Sequence, residues 1–234
     1  MKVRVKFAKT GAMKFIGHLD IMRFFQKAIR RAELPVAFSE GFSPHMIMSF
    51  AAPLGVGITS AGEYFDMELT QELPSRELKE RLNRQMVEGM EVLSVRRIPE
   101  GKASKAMSLV AAADYLVSFR EGMELTGWRE KIAEFYGQDS IVIMRKTKRS
   151  EKETDIRPWI LQLEARGEGI FMRVSQGSVH NLKPELVLEA FARFLGQELA
   201  PMALLIQRLE VYAELEEQGE KRLCPLEDLG ENIE

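Results

Sequence analysis

Residues 2–8, Lys-Val-Arg-Val-Lys-Phe-Ala, alternate polar and apolar side chains with period two, the pattern of a half-buried strand. Past the turn Thr10-Gly-Ala the period changes. Leu19, Met22, Phe25, Ile29 and Ala32 recur at three- and four-residue spacing and predict a helix over 19–33 with these residues on its buried face. Pro35 is expected to stop it. Val36–Ser39 reads as a short strand, Glu40–His45 as a loop, Met46–Ala51 as extended, and Ala52–Gly57 as a tight glycine-rich segment. Residues 61–70 alternate again, with Tyr64, Asp66 and Glu68 opposite Phe65, Met67 and Leu69. A second helix starts at Ser75, a candidate N-cap, presents Leu78, Leu82 and Met86 on one side, and ends at Gly89. Met90–Ile98 is the next strand. This order, β-α-β-β-α-β, is the split βαβ or ferredoxin-like plan.

The same order returns after a linker. Strand 113–120, helix 126–136, strand 140–146, an exposed polar hairpin or loop at 147–157, strands 159–165 and 170–174, helix 183–195 and strand 203–213 repeat the first half with one extra strand or long hairpin. The expected fold class is α+β: two tandem ferredoxin-like (βαββαβ) domains with antiparallel sheets. The first occupies 1–100, a linker 101–112, the second domain 113–213, and a loose acidic tail 214–234.

Composition narrows the function classes. Hydrophobic residues make up 45% and charged residues 29%, ordinary for a globular chain with a real core. No apolar run is long enough to span a membrane, and the N-terminus lacks the apolar core of a signal peptide, so no membrane partner and a cytoplasmic location are expected. A single cysteine, Cys224, excludes intrachain disulfides and a cysteine cluster. Walker, GxGxxG, Cys-x-x-Cys and His-x-x-x-His motifs are absent, which argues against a nucleotide hydrolase, a dinucleotide enzyme and a zinc module. The expectation is no cofactor and no metal. Charge is uneven under a net of -2: residues 1–48 hold nine Lys/Arg against three Asp/Glu, and residues 210–234 hold nine Asp/Glu against two Lys/Arg. A basic N-terminal part suits an anionic partner such as RNA; solvated faces are the plainer reading.

Candidate chemistry gathers in two early clusters. His18 and Asp20 head the first helix, as acid/base or anion-binding groups or simply as caps. Arg23, Lys27, Arg30 and Arg31 form a stripe on one helix face, suited to phosphates or to solvent. Ser39, Glu40, Ser43 and His45 lie in a glycine- and proline-punctuated loop flanked by Phe38, Phe42 and Phe50, aromatics that either stack on bases or fill the core. Later, Asp155 and Arg157 stand two apart and can pair on one strand face. His180 reads as a loop residue.

Gly17-His-Leu-Asp20, the Arg-rich helix, Phe38-Ser-Glu-Gly-Phe-Ser-Pro-His45, Ser49-Phe-Ala-Ala-Pro-Leu-Gly-Val-Gly57, Glu63-Tyr-Phe-Asp66 and Asp155-Ile-Arg-Pro158 together resemble the bacterial radical SAM-linked proteins. That family is a domain of unknown function, fused to or encoded beside radical S-adenosylmethionine proteins, with genes often near a ribonuclease of the G/E type. This chain has no radical SAM cysteine triad, so it looks like the stand-alone version. The positions that match the pattern include Gly17, His18, Asp20, Arg23, Arg30, Arg31, Ser39, Gly41, Phe42, Pro44, His45, Pro53, Gly57, Asp155 and Arg157. The resemblance implies association with a radical SAM protein rather than a reaction. The leading expectation is a non-catalytic RNA-binding accessory module for tRNA or rRNA, with Arg23, Lys27, Arg30 and Arg31 on phosphates and His18, Ser39, Ser43 and His45 nearby. The alternatives are an enzyme acting on RNA through His18 and His45, and a protein–protein adaptor.

Overall fold

A computed structural model describes residues 1–99, 105–146, 151–217 and 219–234. In chain order the elements are β1 (Lys2–Lys9), a 3-10 turn (Gly11–Phe15), α1 (His18–Arg31), β2 (Met48–Phe50), β3 (Thr59–Glu68), α2 (Ser75–Asn83), β4 (Met90–Arg97) and α3 (Ala106–Leu109). There follow β5 (Val110–Phe119), α4 (Trp128–Tyr136), β6 (Val142–Lys146), β7 (Glu151–Asp155), β8 (Ile160–Arg166), β9 (Gly169–Ser175), α5 (Pro184–Phe194), β10 (Leu204–Glu217) and β11 (Glu220–Pro225). The class is α+β. The chain forms two compact units, Met1–Ala111 with Arg208–Glu234, and Ala112–Gln207. Among the described residues no helix is long and apolar enough to cross a membrane.

In unit 1, β1 lies between β4 and β3, antiparallel to both, and β3 also pairs antiparallel with the short β2 and neighbours β10. The alternation of β1 sets its two faces. Val3, Val5 and Phe7 join Ile21, Phe25 and Ile29 of α1, Leu78 and Leu82 of α2, and Phe65 and Met67 of β3 in one core. Arg4 and Lys6 point the other way. Strand β3 has the same division: Phe65 and Met67 are in the core, while Tyr64 and Asp66 are also buried, 2% and 3% exposed, on the opposite side. Gly62 of β3 is required by this packing, because a Cβ there would lie 2.7 Å from the Glu210 backbone.

The C-terminal residues cover that second face. The expected loose tail at 214–234 is instead β11, paired antiparallel with β10, followed by a 3-10 turn, Leu226–Leu229. Buried cations explain the difference. Arg4 donates to both oxygens of Asp66 (2.8 and 3.1 Å) and to Leu226 O (2.9 Å). Lys6 donates to Glu210 and Glu227, each at 2.6 Å. Ser94 and the Arg96 side chain of β4 reach Glu227, and Arg96 also pairs with Asp228. Arg97 and Glu231 exchange both backbone hydrogen bonds and form an ion pair. Leu226 and Ile233 are buried, and Ile233 exchanges hydrogen bonds with Ser75. Removing one partner of a pair as buried as Arg4–Asp66 costs about 3–5 kcal/mol.

Helix α1 differs from expectation at both ends. It starts one residue earlier and ends two residues earlier, and Leu19 is 65% exposed rather than part of the buried face; Ile21, Phe25, Ala28 and Ile29 fill that role. Pro35 does not end it. Glu33 takes a left-handed conformation (φ 52°), with Leu34 N–H bonded to Ile29 O and Glu33 N–H to Arg30 O, a Schellman ending. The Arg81 guanidinium donates to the freed Ala32 and Glu33 carbonyls. The strand expected at 36–39 is reduced to isolated bridges, Val36 with Leu69 and Phe38 with Met46.

Unit 2 has the strand order β10-β5-β9-β8, its own share of β10 being residues 204–207. Strand β9 is antiparallel to β5 and β8, and β6 and β7 form a separate antiparallel pair. Helices α4 and α5 contribute Phe135 and Phe191 to its core, their rings 5.0 Å apart. Of the linker expected at 101–112, residues 101–104 lie outside the described residues, and α3 and the start of β5 occupy the rest. Of the polar run at 147–157, residues 147–150 lie outside them too, and β7 follows.

The polar layer gives unit 1 a specific acid sensitivity. Burial alone would raise the Glu227 pKa, but the bonds from Lys6 and Ser94 and the charges of Lys6 and Arg96 outweigh it and hold the carboxyl below its ordinary 4.5. A carboxyl depressed by folding stabilises above its unfolded pKa and loses that contribution as pH falls through the folded one. Thermal unfolding followed from about pH 6 to about pH 2 should show stability falling in the acid range, with Glu227→Gln flattening that limb. An acid limb unchanged in the variant would contradict the role given to Glu227.

Candidate functional site

The outer face of α1 carries the cationic stripe. Arg23, Lys27, Arg30 and Arg31 are all exposed. Arg23 makes only a 3.3 Å pair with Asp20 in which both side chains are more than half exposed, so the pair contributes little. Arg31 makes one long bond, 3.4 Å, to Gln85 O. Among the described residues no hydrogen bond or ion pair engages the side chain of Lys27 or Arg30. Asp20 is exposed and caps nothing by its side chain.

The loop 38–46 is closed on itself. The Ser39 hydroxyl lies 2.8 Å from His45 Nδ1 and accepts from the His45 N–H at 3.1 Å, while the Ser39 N–H donates to His45 O. Gly41 supplies the left-handed turn, φ 106°. Glu40, Ser43 and Phe42 project into solvent, Phe42 fully and Phe38 by 46%. Phe50, the third aromatic of this stretch, is a core residue whose ring packs on Phe65 at 5.2 Å.

Three of the sequence segments meet in a cleft of unit 1. His18 from Gly-His-Leu-Asp, Phe50, Ala52 and Leu54 from the glycine-rich stretch, and Glu63 from Glu-Tyr-Phe-Asp line it with Phe7, Lys9 and Ile21. It encloses about 270 Å³ including its solvent-open mouth, and its interior has room for about one water molecule. The His18 ring stands edge-on to Phe50 at 5.3 Å. Lys9, 2% exposed, donates to Ile16 O at 2.8 Å. Glu63 is clamped through both oxygens by the buried Arg208, which also donates to Ala52 O at 2.8 Å. Lys9 and Arg208 lie outside every motif, and Glu63 stands in one without being singled out. The signal lies in the alternation. Lys9 continues the Val3–Val5–Phe7 face, and Glu63 precedes Phe65 and Met67 on theirs, so both are charges at core positions.

The site does not bring His18 and His45 together. His18 lines the cleft, His45 is tied to Ser39, and no hydrogen bond or ring contact joins the two imidazoles. Asp155 and Arg157 do not form the expected strand-face ion pair either. The chain leaves β7 at Asp155 and enters a 3-10 turn, so Asp155 Oδ1 accepts the backbone N–H groups of Ile141 and Arg157 (2.8 and 2.9 Å). The Arg157 guanidinium instead donates to Gln138 O and Ile160 O and lies 4.2 Å from the Tyr136 ring. These two residues hold a turn of unit 2. Among the described residues no group of three His, Cys, Asp or Glu is placed to hold a metal ion.

Burial is the main cause of a lowered His18 pKa; the Lys9 charge adds to it and Glu63 opposes it. Burial likewise draws Lys9 down, with Arg208 adding and Glu63 opposing. His18 is therefore neutral near pH 7 and able to donate from one ring nitrogen and accept at the other. Its ring resonances should titrate with a midpoint below the ordinary 6.5, and Lys9→Met should raise that midpoint only part of the way, burial being the larger cause. A midpoint above 6.5 would place His18 outside the cleft.

No curated protein matches the chain. A solved structure described as "Crystal Structure of a Cbf5-Nop10-Gar1 Complex" is similar at 11% identity and a TM-score of 0.44, over 89% of this chain and 48% of that one. The chain thus spans about half of that neighbour's length, and likeness at this level carries no functional argument. The model of a family described as "Uncharacterized protein conserved in bacteria (DUF2344)" matches residues 2–184. That span is well over half of the chain, and the protein belongs to this bacterial family of uncharacterised proteins.

Proposed function

We propose that the protein is an RNA-binding accessory module, acting in the cytoplasm on tRNA or rRNA together with a radical SAM protein. The observation that carries this reading is the outer face of α1. Its opposite face is core, and its cations project into solvent with little internal pairing, whereas Lys6 of β1 and Arg96 and Arg97 of β4 are engaged by the C-terminal acids. Exposed cations of this kind bind phosphates by releasing counterions, and the solvent-projecting Phe42 offers a ring for an unpaired base. The motif resemblance to radical SAM-linked proteins supports the choice of partner. The strand orders β4-β1-β3-β2 and β10-β5-β9-β8 support the finer description of the fold as two ferredoxin-like domains in tandem.

The cleft favours a second reading, an enzyme acting on RNA. In it His18 would work with Lys9 and Glu63 in place of His45, since those are the titratable groups that share its surroundings.

Fluorescence anisotropy with labelled tRNA over a salt series tests the first reading. Binding should weaken steeply with salt, and Arg23→Ala with Arg30→Ala should weaken it and reduce the slope of log K against log salt by about 1 to 2. A double variant that binds tRNA as tightly as wild type, with the same slope, would remove α1 as the RNA surface.

A further inference from the structure

The cleft beside α1 carries chemistry that a helix face lined with cations does not need. Its polar groups are unequal in what they can offer a ligand. Lys9 uses one N–H on Ile16 O and keeps two. The His18 ring makes no hydrogen bond among the described residues. Glu63 is an acceptor whose negative charge is matched by Arg208, which leaves the ammonium of Lys9 as the uncompensated charge. The walls, Phe7, Ile21, Phe50 and Leu54, are apolar, and the groups between them are poorly hydrated, which strengthens any charge–charge contact made there.

We propose that this cleft is an anion-binding subsite that seats one oxygen of a phosphoryl group, either inorganic phosphate or a phosphomonoester. Size sets the first limit. An interior with room for about one water admits a single oxygen, with the rest of the group at the mouth beside His18, and does not admit a nucleobase or sugar ring. Glu63 sets the second. A carboxylate facing the ligand repels an anion without a proton and accepts a hydrogen bond from one that has it. Phosphomonoesters keep a proton below their second pKa of about 6 and in part above it, and inorganic phosphate carries at least one throughout the neutral range; sulfate and carboxylates carry none there. Lys9 supplies the cation, and His18 donates or accepts at the mouth. The subsite stands whether or not α1 binds RNA, so the two can fail separately.

The test follows the His18 ring resonances at about pH 6.5 while inorganic phosphate or sulfate is added to the full chain. Phosphate should shift them saturably and sulfate should bind about tenfold or more weaker, a difference of about 1.4 kcal/mol. By calorimetry, Lys9→Met and, at the more tolerant mouth position, His18→Gln should each weaken phosphate binding about tenfold or more. Resonances unmoved by phosphate, sulfate binding as tight as phosphate, or both variants binding like wild type would overturn the proposal. A 5′-phosphorylated RNA oligonucleotide that outbinds its 5′-hydroxyl counterpart, in wild type but not in His18→Gln, identifies an RNA end as the source of the phosphoryl group. Equal binding of the two oligonucleotides, with phosphate still bound, assigns the subsite to a small phosphorylated molecule.

Discussion

The first unit depends on a layer of buried charge between its sheet and the end of the chain. Strand β1 places apolar residues on one face and Arg4 and Lys6 on the other, and the second face is not left to solvent. Buried cations are tolerated only when paired and hydrogen-bonded. Asp66 lies opposite Arg4 on the neighbouring strand, while Lys6, Arg96 and Arg97 pair with Glu210, Glu227, Asp228 and Glu231, Arg97 with Glu72 as well. The last residues of the sequence therefore complete a structure begun by the first. That is why Leu226 and Ile233 are buried, and why the chain returns to unit 1 after building unit 2.

The same layer reassigns the protein's charge. A basic N-terminal part and an acidic C-terminal part suggest a polyanion partner at one end and a solvated tail at the other. Much of that asymmetry is spent within the molecule. Of the nine Lys and Arg in residues 1–48, the four that are exposed are those of α1. The cleft follows a related rule at the ends of the strands. Lys9 and Glu63 sit at positions where the alternation calls for apolar side chains, and Arg208 is needed to hold Glu63 there. Charges kept at core positions, around a space with room for a water, are a costly arrangement for packing alone.

Much of this was legible in the sequence. The period-two and period-3.6 patterns locate nearly every strand and helix and lead to the α+β class observed. What local pattern does not carry is long-range pairing. Nothing near residues 220–234 announces that their acids meet Lys6, 221 residues before Glu227, and Arg96 and Arg97, 132 and 134 residues before Asp228 and Glu231, and so local pattern predicts a tail. Helix α1 ends at Arg31 because the tertiary setting, including Arg81, supports a left-handed Glu33 just beyond it, and Pro35 is a later stop. Asp155 and Arg157 read as neighbours on one strand face because the 3-10 turn after β7 leaves no periodic trace. His18 reads as a residue of interest beside His45, and in the structure it lines a cleft with Lys9 and Glu63. Its neighbours come from β1 and β3, elements whose charged residues look like ordinary members of an alternating strand until the face they occupy is counted.

Native-state amide hydrogen exchange at Arg97, Glu231 and Ile233 tests the charged layer most directly, because these N–H groups are bonded only if the C-terminal segment is closed on the sheet and α2. If the segment is part of unit 1, the three amides exchange slowly, with protection comparable to that of β1 and β3. Exchange of Glu231 and Ile233 at the rate of an unstructured chain, while β1 and β3 stay protected, would show a detached tail and contradict the dependence of the unit on its final residues.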